Sequence, residues 1–441
     1  MTKKRAIRSA ISAVIAVAVL VILAVFVVFK GEDTSHFPRI VIFGVDGAGW
    51  NFINPMLKEG KLPHFKAMMD EGSSGTLQTI KPTKSSVIWT SIATGKSMLK
   101  HGIVDWTFVK DNGIPVPYSQ GERRAKAFWN ILSDRGRSVG VINWFVSYPA
   151  EKVRGYMVSE AFHDVGRADL SKLAVTYPPD LIKTIEFAAQ RNVQKIYAEE
   201  NLPDYKKADP TGPVRSRYPS HVLQAKTVEV ASLYLLENRP VEVYATYFHL
   251  VDAVSHFIFS SIDPQLLKKG RDEWLKNGSV SPETRAEVDL ACSRLMEPVY
   301  GYMDKILGEI LDRIGPEATV IICSDHAFIY EGGGYDHYET REIPHGILLV
   351  KGPNIKKGYE IKDATIFDIL PTMLYQLGLP QAEDMDGKIL TEIFNEDFLR
   401  RTPLRFIRTY EDGKSAKAAG ARDSADDQRR LEELKALGYI K

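Results

Sequence analysis

The sequence predicts an α/β fold built on a mostly parallel central sheet with helices on both faces. Short apolar runs rich in β-branched residues recur along the chain, as expected for strands buried on both faces. The runs occupy residues 39–45, 138–144, 241–250, 318–324 and 345–352. Helical patterns lie between these runs, at residues 62–72, 128–136 and 301–315. Strands that alternate with helices favour parallel pairing, with the helices covering the sheet.

Two stretches interrupt this alternation and are candidate insertions. Residues 165–230 are polar and rich in Tyr, Lys and Pro, and residues 260–298 contain a strongly charged segment. We expect either stretch to form a cap over the ends of the strands.

The C-terminal part of the chain has a different composition. Residues 413–425 are small, polar and charged, which is typical of a linker. A short helical pattern follows, with Leu431, Leu434 and Leu437 on one side. We expect this helix to dock on the body of the protein.

The first eight residues include four basic ones, and the uncharged stretch Ser9–Phe29 follows them. As a helix that rises about 1.5 Å per residue, this stretch would span roughly 30 Å of hydrocarbon. We therefore expect a single membrane anchor. A cleaved signal peptide is the alternative, but its apolar region is usually about 7–15 residues long and ends in small residues. The preceding basic residues predict a cytoplasmic N-terminus and a main domain on the periplasmic or outer face of the membrane.

The chain accordingly divides into segments with different expected roles. These are a cytoplasmic basic segment (1–8), the anchor (9–29), a linker (30–37), the main domain (38–410), and a polar linker with the C-terminal helix (411–441). The formal net charge is +1, and basic residues are concentrated before and at the end of the anchor. This distribution gives no sign of a nucleic-acid-binding surface. Two cysteines are too few for a disulfide framework.

Acidic residues follow three of the predicted strands. Asp46 follows the first run, Asp252 the third and Asp325 the fourth, and His256 and His326 stand close behind two of them. In an open parallel sheet the carboxyl ends of the strands form the crevice where ligands bind. Each cluster alone is equally consistent with a turn, a chance spacing or a salt-bridged loop. Together they form a ligand set suited to divalent zinc, manganese or iron.

A cluster of hydroxyl groups lies in residues 81–95, which read KPTKSSVIWTSIATG. Ser and Thr before an apolar run ordinarily satisfy free N–H groups at the start of a helix. The same position also favours an alkoxide and an approaching phosphate, because the helix N-terminus carries partial positive charge. The residues alone leave both interpretations open, a cap and a nucleophile.

Several strings in this order resemble one known family. They are VDGAGW, GKLPHFKAMMDEGSSGTL, KPTKSSVIWTSIATGKSMLKHGIVDW, YPAEKVRGYMVS, VDAVSH, SDH, GILLVKGPNIKKG and DILPTMLYQLGLP. The chain is similar, from about residue 38 to 395, to the type I phosphodiesterase and nucleotide pyrophosphatase branch of the alkaline phosphatase superfamily. The resemblance implies an alkaline-phosphatase-like sheet and two divalent metal ions, with Zn²⁺ in first place and Mn²⁺ or iron as alternatives.

The resemblance also assigns a nucleophile and a first metal site. In this family the nucleophile stands nine residues before the Thr of a Thr-Gly pair, which places it at Ser85, counted from Thr94. The backbone N–H of Ser86 would meet the oxyanion. The first site would contain the nucleophile oxygen, and its residues would be Asp46, Ser85, Asp325 and His326.

The second metal site would combine Asp252 and His256 with a histidine that precedes a strand. His337 and His345 are the candidates, and we favour His337 because Pro344 and His345 form the lead-in to the strand. Two departures from the family pattern stand out: SDH is followed by Ala instead of Gly, and Ile88 occupies a position where nucleotide pyrophosphatases have Asn. The second departure weakens the case for a nucleotide substrate.

The expected function is metal-dependent hydrolysis of phosphate esters with a serine nucleophile and two metal ions. Within the superfamily, a phosphomonoesterase or a transferase of phosphorylated head groups is the alternative. A sulfatase ranks low, because Ser85 is followed by SVIW and the motif C/S-x-P-x-R is missing. From another class, a non-catalytic membrane-anchored binding module remains an alternative. The expected partners are a phosphate ester and the membrane, with no nucleic-acid polymer.

Overall fold

The computed structural model describes residues 39–110, 112–164, 174–186, 213–338, 340–413 and 424–436, together with residue 440. The predicted anchor (9–29) and its linker (30–37) lie outside these ranges. So do most of the predicted linker at 413–425 and much of the candidate insertion at 165–230. Within the described ranges, no helix combines the length and the apolar character needed to cross a membrane.

Fifteen strands are present in the described part of the chain. They are β1 (Ile40–Val45), β2 (Ser73–Gln78), β3 (Thr107–Val109), β4 (Pro115–Pro117), β5 (Val139–Trp144), β6 (Gly155–Ser159), β7 (Thr176–Tyr177), β8 (Val243–Phe248), β9 (Thr319–Cys323), β10 (Ile329–Glu331), β11 (Gly334–Asp336), β12 (Gly346–Lys351), β13 (Tyr359–Thr365), β14 (Gln381–Ala382) and β15 (Phe406–Ile407).

Nine of these strands form the central sheet, in the order β13-β2-β12-β9-β1-β8-β5-β6-β7. The five strands from β9 to β6 run parallel, and so do β2 and β13. β12 is antiparallel to both of its neighbours, and β7 is antiparallel to β6. The prediction of a mostly parallel sheet is confirmed. The reversed direction of β12 was not predicted, because an apolar run has the same composition in either direction.

The helices of the described ranges lie between and after the strands. They are α1 (Trp50–Lys58), α2 (Pro63–Glu71), α3 (Ser85–Thr94), α4 (Met98–His101), α5 (Phe128–Asp134), α6 (Pro213–Asn238), α7 (Leu250–Ile258), α8 (Pro264–Asn277), α9 (Pro282–Leu311), α10 (Ile369–Gln376), α11 (Glu396–Arg401) and α12 (Ser424–Ala436).

The predicted helices at 62–72 and 128–136 correspond to α2 and α5. The pattern at 301–315 is only the second half of α9, a helix of 30 residues. Its first half lies in the charged segment 260–298, where Val288, Cys292 and Met296 still repeat every four residues and are buried. The first half of α9 was not predicted, because charged residues surround its apolar stripe in the sequence.

The core consists of two apolar layers, one on each face of the sheet. Alternate residues of β1 point into different layers, Val41 and Phe43 into one and Ile40 and Ile42 into the other. The first layer is completed by α1, α2, α6, α7 and α9, and the second by α3, α5 and α10. Burial on both faces explains why the central strands are continuously apolar.

The C-terminal helix α12 packs on the body of the protein. Leu431 is buried, and Arg430 Nη2 donates a hydrogen bond of 2.8 Å to Glu160 Oε1. This contact confirms that the helix docks, although Leu437 lies outside the described residues.

Candidate active site

Neighbouring strands bring the predicted acids to one edge of the sheet. Asp46 directly follows β1, and Asp325 follows β9 after one intervening residue. These two strands pair in parallel with Gly44 opposite Cys323, so the two acids begin side by side. Asp252 lies in the first turn of α7, which follows β8 on the other side of β1. The three acidic clusters therefore meet in one crevice, as the pattern of strands predicts.

His326 lies at the centre of this cluster. Its Nε2 is 3.4 Å from Asp46 Oδ1, 3.4 Å from Asp325 Oδ2 and 3.7 Å from Asp252 Oδ1. Ser85 is the first residue of α3, and its Oγ donates a hydrogen bond of 3.4 Å to Asp46 Oδ1. All five side chains are fully buried.

A second group of histidines surrounds Asp252. His256 Nε2 is 3.4 Å from Asp252 Oδ2, which follows from their spacing of four residues on one helix face. His337 directly follows β11, and its Nε2 lies 3.7 Å from Asp252 Oδ1 and 3.3 Å from His256 Nε2. His345 lies outside this group, where its Nδ1 accepts a hydrogen bond from the backbone of Thr79. The structure thus brings together the seven residues that the resemblance assigned to the metal sites.

Two of the histidines are held in the orientation that metal ligands need. His326 Nδ1 is 3.1 Å from the carbonyl of Ala327, and His337 Nδ1 is 3.1 Å from the carbonyl of Thr83. A carbonyl can only accept, so each Nδ1 carries a proton, and in the neutral form of the ring Nε2 then presents a lone pair to the centre. Backbone carbonyls commonly orient metal-binding histidines in this way.

Two buried polar atoms in the centre have no hydrogen-bond partner among the described residues. Asp325 Oδ2 and His326 Nε2 are both buried and make no hydrogen bond within the described part of the chain. Such atoms are costly in a protein interior unless a ligand or ion satisfies them. Their position between three carboxylates indicates that this ligand is a cation.

The electrostatics of the cluster lead to the same conclusion. Burial raises the pKa of Asp46 well above its ordinary value, and the charges of Asp325 and Asp252 raise it further. Burial also raises the pKa of Asp325 to about 7. Burial alone would raise the pKa of Asp252. The nearby His256 and His249 have a larger, opposite effect and hold this pKa well below its ordinary value. A bound divalent ion would offset the repulsion among these carboxylates.

Two overlapping sets of ligand atoms could hold a metal ion. One consists of Asp46, Asp325 and His326, the other of Asp252, His326 and His337, and within each set the atoms lie within 4.8 Å of one another. Carboxylate oxygen and imidazole nitrogen are ligands that zinc, manganese and iron accept. The residues present therefore fit a divalent metal centre.

Three side chains that we had not assigned to the site hold its carboxylates. Trp89 Nε1 donates a hydrogen bond of 3.1 Å to Asp46 Oδ2, and the Tyr247 hydroxyl donates to the same oxygen. His249 Nε2 is 3.1 Å from Asp252 Oδ2. Trp89 is packed in the core, and its indole N–H also donates to the site. Tyr247 and His249 could have been found from the sequence, because they are polar rings at the end of an otherwise apolar strand.

The hydroxyl groups of residues 83–94 have separate partners. Ser86 Oγ donates to the carbonyl of Asp105, while those of Thr90, Ser91 and Thr94 donate to carbonyls four residues earlier in α3. The N-cap residue of α3 is Lys84, which makes no side-chain capping bond. Helix capping therefore does not explain the cluster. In this range, the hydroxyl that bonds a carboxylate of the centre is that of Ser85.

Comparisons with known proteins relate the chain to phosphoester chemistry. A family model described as "Type I phosphodiesterase / nucleotide pyrophosphatase" matches residues 40–333. A 2,3-bisphosphoglycerate-independent phosphoglycerate mutase from Nostoc punctiforme is 33% identical over 116 residues, which are 23% of this chain and 21% of the mutase. The chain thus matches about a fifth of the length of this curated relative.

The solved structures that match the chain have low sequence identity to it. A 2-O GAG sulfatase superposes with a TM-score of 0.51 at 12% identity, over 80% of this chain and 73% of the sulfatase. Human ectonucleotide pyrophosphatase / phosphodiesterase 5 gives a TM-score of 0.47 at 12% identity, over 81% of this chain and 100% of that protein. At this identity, the likeness to the sulfatase extends to the fold alone.

Proposed function

The chain belongs to the type I phosphodiesterase / nucleotide pyrophosphatase family, and from this premise we propose that it is a metal-dependent hydrolase of phosphate esters with Ser85 as its nucleophile. One observation carries the proposal. Ser85 Oγ lies at the N-terminus of α3, 3.4 Å from Asp46 Oδ1, in a buried cluster of carboxylates and imidazoles. A hydroxyl in this position has the electrostatic surroundings that phosphoryl transfer requires.

The ligand atoms divide into two proposed sites for divalent ions. Asp46, Asp325, His326 and Ser85 Oγ would form one, and Asp252, His256 and His337 the other. Zn²⁺ is the favoured ion, with Mn²⁺ and iron as alternatives, because all three accept this mixture of oxygen and nitrogen ligands. When bound, such ions neutralise phosphoryl oxygens and lower the pKa of oxygen ligands.

The residues of the chain orient and stabilise the reacting groups. Asp46 accepts the hydrogen bond of Ser85 and thereby directs Oγ into the crevice. Ser85 Oγ forms a bond to phosphorus as the ester oxygen leaves as an alcohol, which takes up the proton that the serine gives up. Water later cleaves the bond between the serine and phosphorus, and releases phosphate from a monoester substrate or a phosphate monoester from a diester substrate. The first backbone N–H groups of α3 have no acceptor within the helix, so that of Ser86 can donate to a phosphoryl oxygen.

Substitution of the nucleophile tests this assignment. We expect Ser85→Ala to lower hydrolysis of bis(p-nitrophenyl) phosphate by at least about 1,000-fold, with bound metal close to the wild-type amount. Ser91→Ala is the matched control, since this serine lies on the same helix and its Oγ bonds the carbonyl of Val87. Retention of full activity in Ser85→Ala would overturn the proposed nucleophile.

The same assay separates the alternatives within the superfamily. Faster hydrolysis of p-nitrophenyl phosphate than of the diester would indicate a phosphomonoesterase. Transfer of the phosphoryl group to an added alcohol in preference to water would indicate a transferase. Absence of bound metal and of all activity in the purified protein would indicate a binding module instead.

We further propose that residues 9–29 anchor the protein in a membrane, with residues 1–8 in the cytoplasm and the domain of residues 38–410 on the periplasmic or outer face. The uncharged stretch and the preceding basic residues support this proposal. Full-length protein should remain in the membrane fraction after carbonate washing, whereas a variant that begins at residue 38 should be released. Recovery of the full-length chain in the soluble fraction would contradict the anchor.

A further inference from the structure

A cavity of about 80 Å³ lies beside the proposed active site. This volume is several times the roughly 10–15 Å³ that a single water molecule requires. Its walls are largely apolar and include Phe145, Val146, Phe248 and Leu434. A preformed, largely apolar space of this kind suits an organic group.

The walls of the cavity touch the proposed reaction centre. Ser86, which lines the cavity, directly follows the proposed nucleophile. Tyr247 and His249 also line it, and they bond to the carboxylates of Asp46 and Asp252. A phosphate ester bound at the centre would therefore have the cavity next to it.

Aromatic rings form a continuous wall on one side. The ring of Phe145 lies 5.6 Å from that of Trp106, 5.3 Å from Tyr247 and 6.2 Å from His249, measured between centroids. Phe145 packs against each of them edge to face. Such a wall favours an apolar or aromatic group.

The C-terminal helix α12 contributes two residues to the lining of the cavity. Arg430 and Leu434 are four residues apart and lie on one face of the helix, directed at the cavity. Arg430 Nη2 bonds Glu160 Oε1 at 2.8 Å and the carbonyl of Tyr118 at 3.3 Å. Glu160 is itself fixed by Ser147, whose backbone N–H and hydroxyl both donate to Oε2.

The other end of the guanidinium group has no acceptor among the described residues. Arg430 Nη1 is buried and makes no hydrogen bond to any residue that the structure describes, and only 11% of the side chain is exposed. A buried cationic donor without an acceptor costs free energy. A ligand with an oxygen acceptor would remove this cost.

Backbone strain is concentrated at the same cavity. Asn143 and Val146, which both line it, have φ angles of 61° and 58°. A β-branched residue such as Val rarely adopts positive φ, and strain of this kind is typical of ligand-binding sites.

The helix α12 lies outside the range 40–333 that matches the family.

We propose that this cavity binds the organic substituent of the phosphate ester, and that α12 determines which substituents are accepted. The preferred substituent is mostly apolar, with an oxygen acceptor that receives a hydrogen bond from Arg430 Nη1. Leu434 sets the size limit, and Arg430 sets the preference for the acceptor. This inference rests on the proposed phosphoesterase function, because it needs the phosphate group at the adjacent centre.

Calorimetric binding of phosphonates, which are not hydrolysed, tests the size limit. Wild-type protein should bind phenylphosphonate at least about tenfold more tightly than methylphosphonate, because the ring buries apolar area. Leu434→Trp should remove this difference and leave methylphosphonate affinity unchanged. Leu99→Trp, at a leucine that is 83% exposed, is the matched control and should behave as the wild type.

A second comparison tests the acceptor. We expect 4-carboxyphenylphosphonate to bind about fivefold more tightly than phenylphosphonate, and the double variant Arg430→Met/Glu160→Gln to lose this advantage. The double variant removes both charges, so no buried carboxylate is left without a partner. A thermal unfolding scan checks that α12 remains docked.

The outcomes distinguish this inference from the proposed function. If neither inorganic phosphate nor methylphosphonate binds the metal-loaded protein, the proposed function fails. If both bind but phenylphosphonate has no advantage, or keeps its advantage in Leu434→Trp, the cavity is not the substituent site. An unchanged preference for the carboxylated ligand in the double variant would remove Arg430 from the proposal.

Discussion

The imidazole rings of His326 and His337 stack with their centroids 3.9 Å apart and their planes 9° from parallel. The two residues lie in the same connection between β9 and β12 and belong to different proposed metal sites. Burial lowers the pKa of His337 well below its ordinary value, and the neighbouring His326 lowers it further. A neutral ring at this position can use Nε2 as a ligand. The stack therefore places one proposed ligand of each site side by side.

The choice between His337 and His345 can be tested by metal binding. We expect His337→Ala to weaken the affinity for a divalent ion by at least about tenfold, because a ligand is lost. His345→Ala is the control, since His345 bonds the backbone of Thr79 and lies outside the cluster. Affinities can be measured by titration with a competing chelator. Loss of metal in His345→Ala, but not in His337→Ala, would reverse the assignment.

The hydroxyl of Tyr247 is expected to contribute to metal affinity without being a ligand. Tyr247→Phe should weaken metal binding by about 10–100-fold, because the hydroxyl orients the Asp46 carboxylate. Tyr244→Phe serves as the comparison, since this residue lies on the opposite face of the same strand. The same chelator titration reports both variants. Equal affinities in the two variants would show that the hydroxyl has no such role.

Gly47 is expected to tolerate no side chain. Its φ is 71°, and an added Cβ would lie 2.9 Å from Cα of Asp252. Gly60 has the same φ of 71° but has no atom within 4 Å of an added Cβ. Gly47→Ala should therefore lower the free energy of unfolding by about 1–3 kcal/mol more than Gly60→Ala does. Urea unfolding measures both, and equal losses would mean that backbone strain alone matters.

His101 predicts a pH dependence of stability. Burial lowers its pKa from 6.5 to about 3. Its Nδ1 accepts from the backbone of Ile103, and its Nε2 is 3.0 Å from Ser91 Oγ, so the neutral ring is stabilised in the fold. Between these two pH values the unfolded chain binds a proton that the folded chain does not. This contribution to stability is complete above pH 6.5 and is lost as the pH falls.

Replacement of this histidine isolates its effect. Between pH 4 and 6, the slope of the free energy of unfolding against pH should be lower in His101→Gln than in the wild type by about 1.4 kcal/mol per pH unit. Urea unfolding at several pH values gives both slopes. Identical slopes would show that His101 does not titrate differently in the folded and unfolded chains.

The location of the site could be predicted from sequence because its acids immediately follow strands. The shared location of Asp46, Asp252 and Asp325 can be predicted from one rule, that parallel strands end at the same edge of a sheet. Ser85 and His337 required the family resemblance, because no periodic pattern distinguishes a serine or a loop histidine that approaches the centre. The roles of these residues remain predictions.

Other parts of the site depend on contacts that local patterns do not contain. Tyr247 reaches Asp46 across 201 residues, and Arg430 reaches Glu160 across 270. Such pairings follow from how the elements pack and leave no periodic signal. The stripe of α9 was partly missed for another reason, since long charged side chains surround its apolar positions.

The reversed direction of strand β12 determines which segment of the chain carries several of the proposed ligands. Its amino end, and not its carboxyl end, borders the crevice, because it runs opposite to β9. The chain therefore leaves the sheet after β9 and re-enters it at β12 on the same side. Residues 324–345 form this one excursion, and it carries Asp325, His326 and His337. Three of the seven proposed ligands thus reside in a single contiguous loop, which could be exchanged between homologous proteins as one unit without altering the order of the strands.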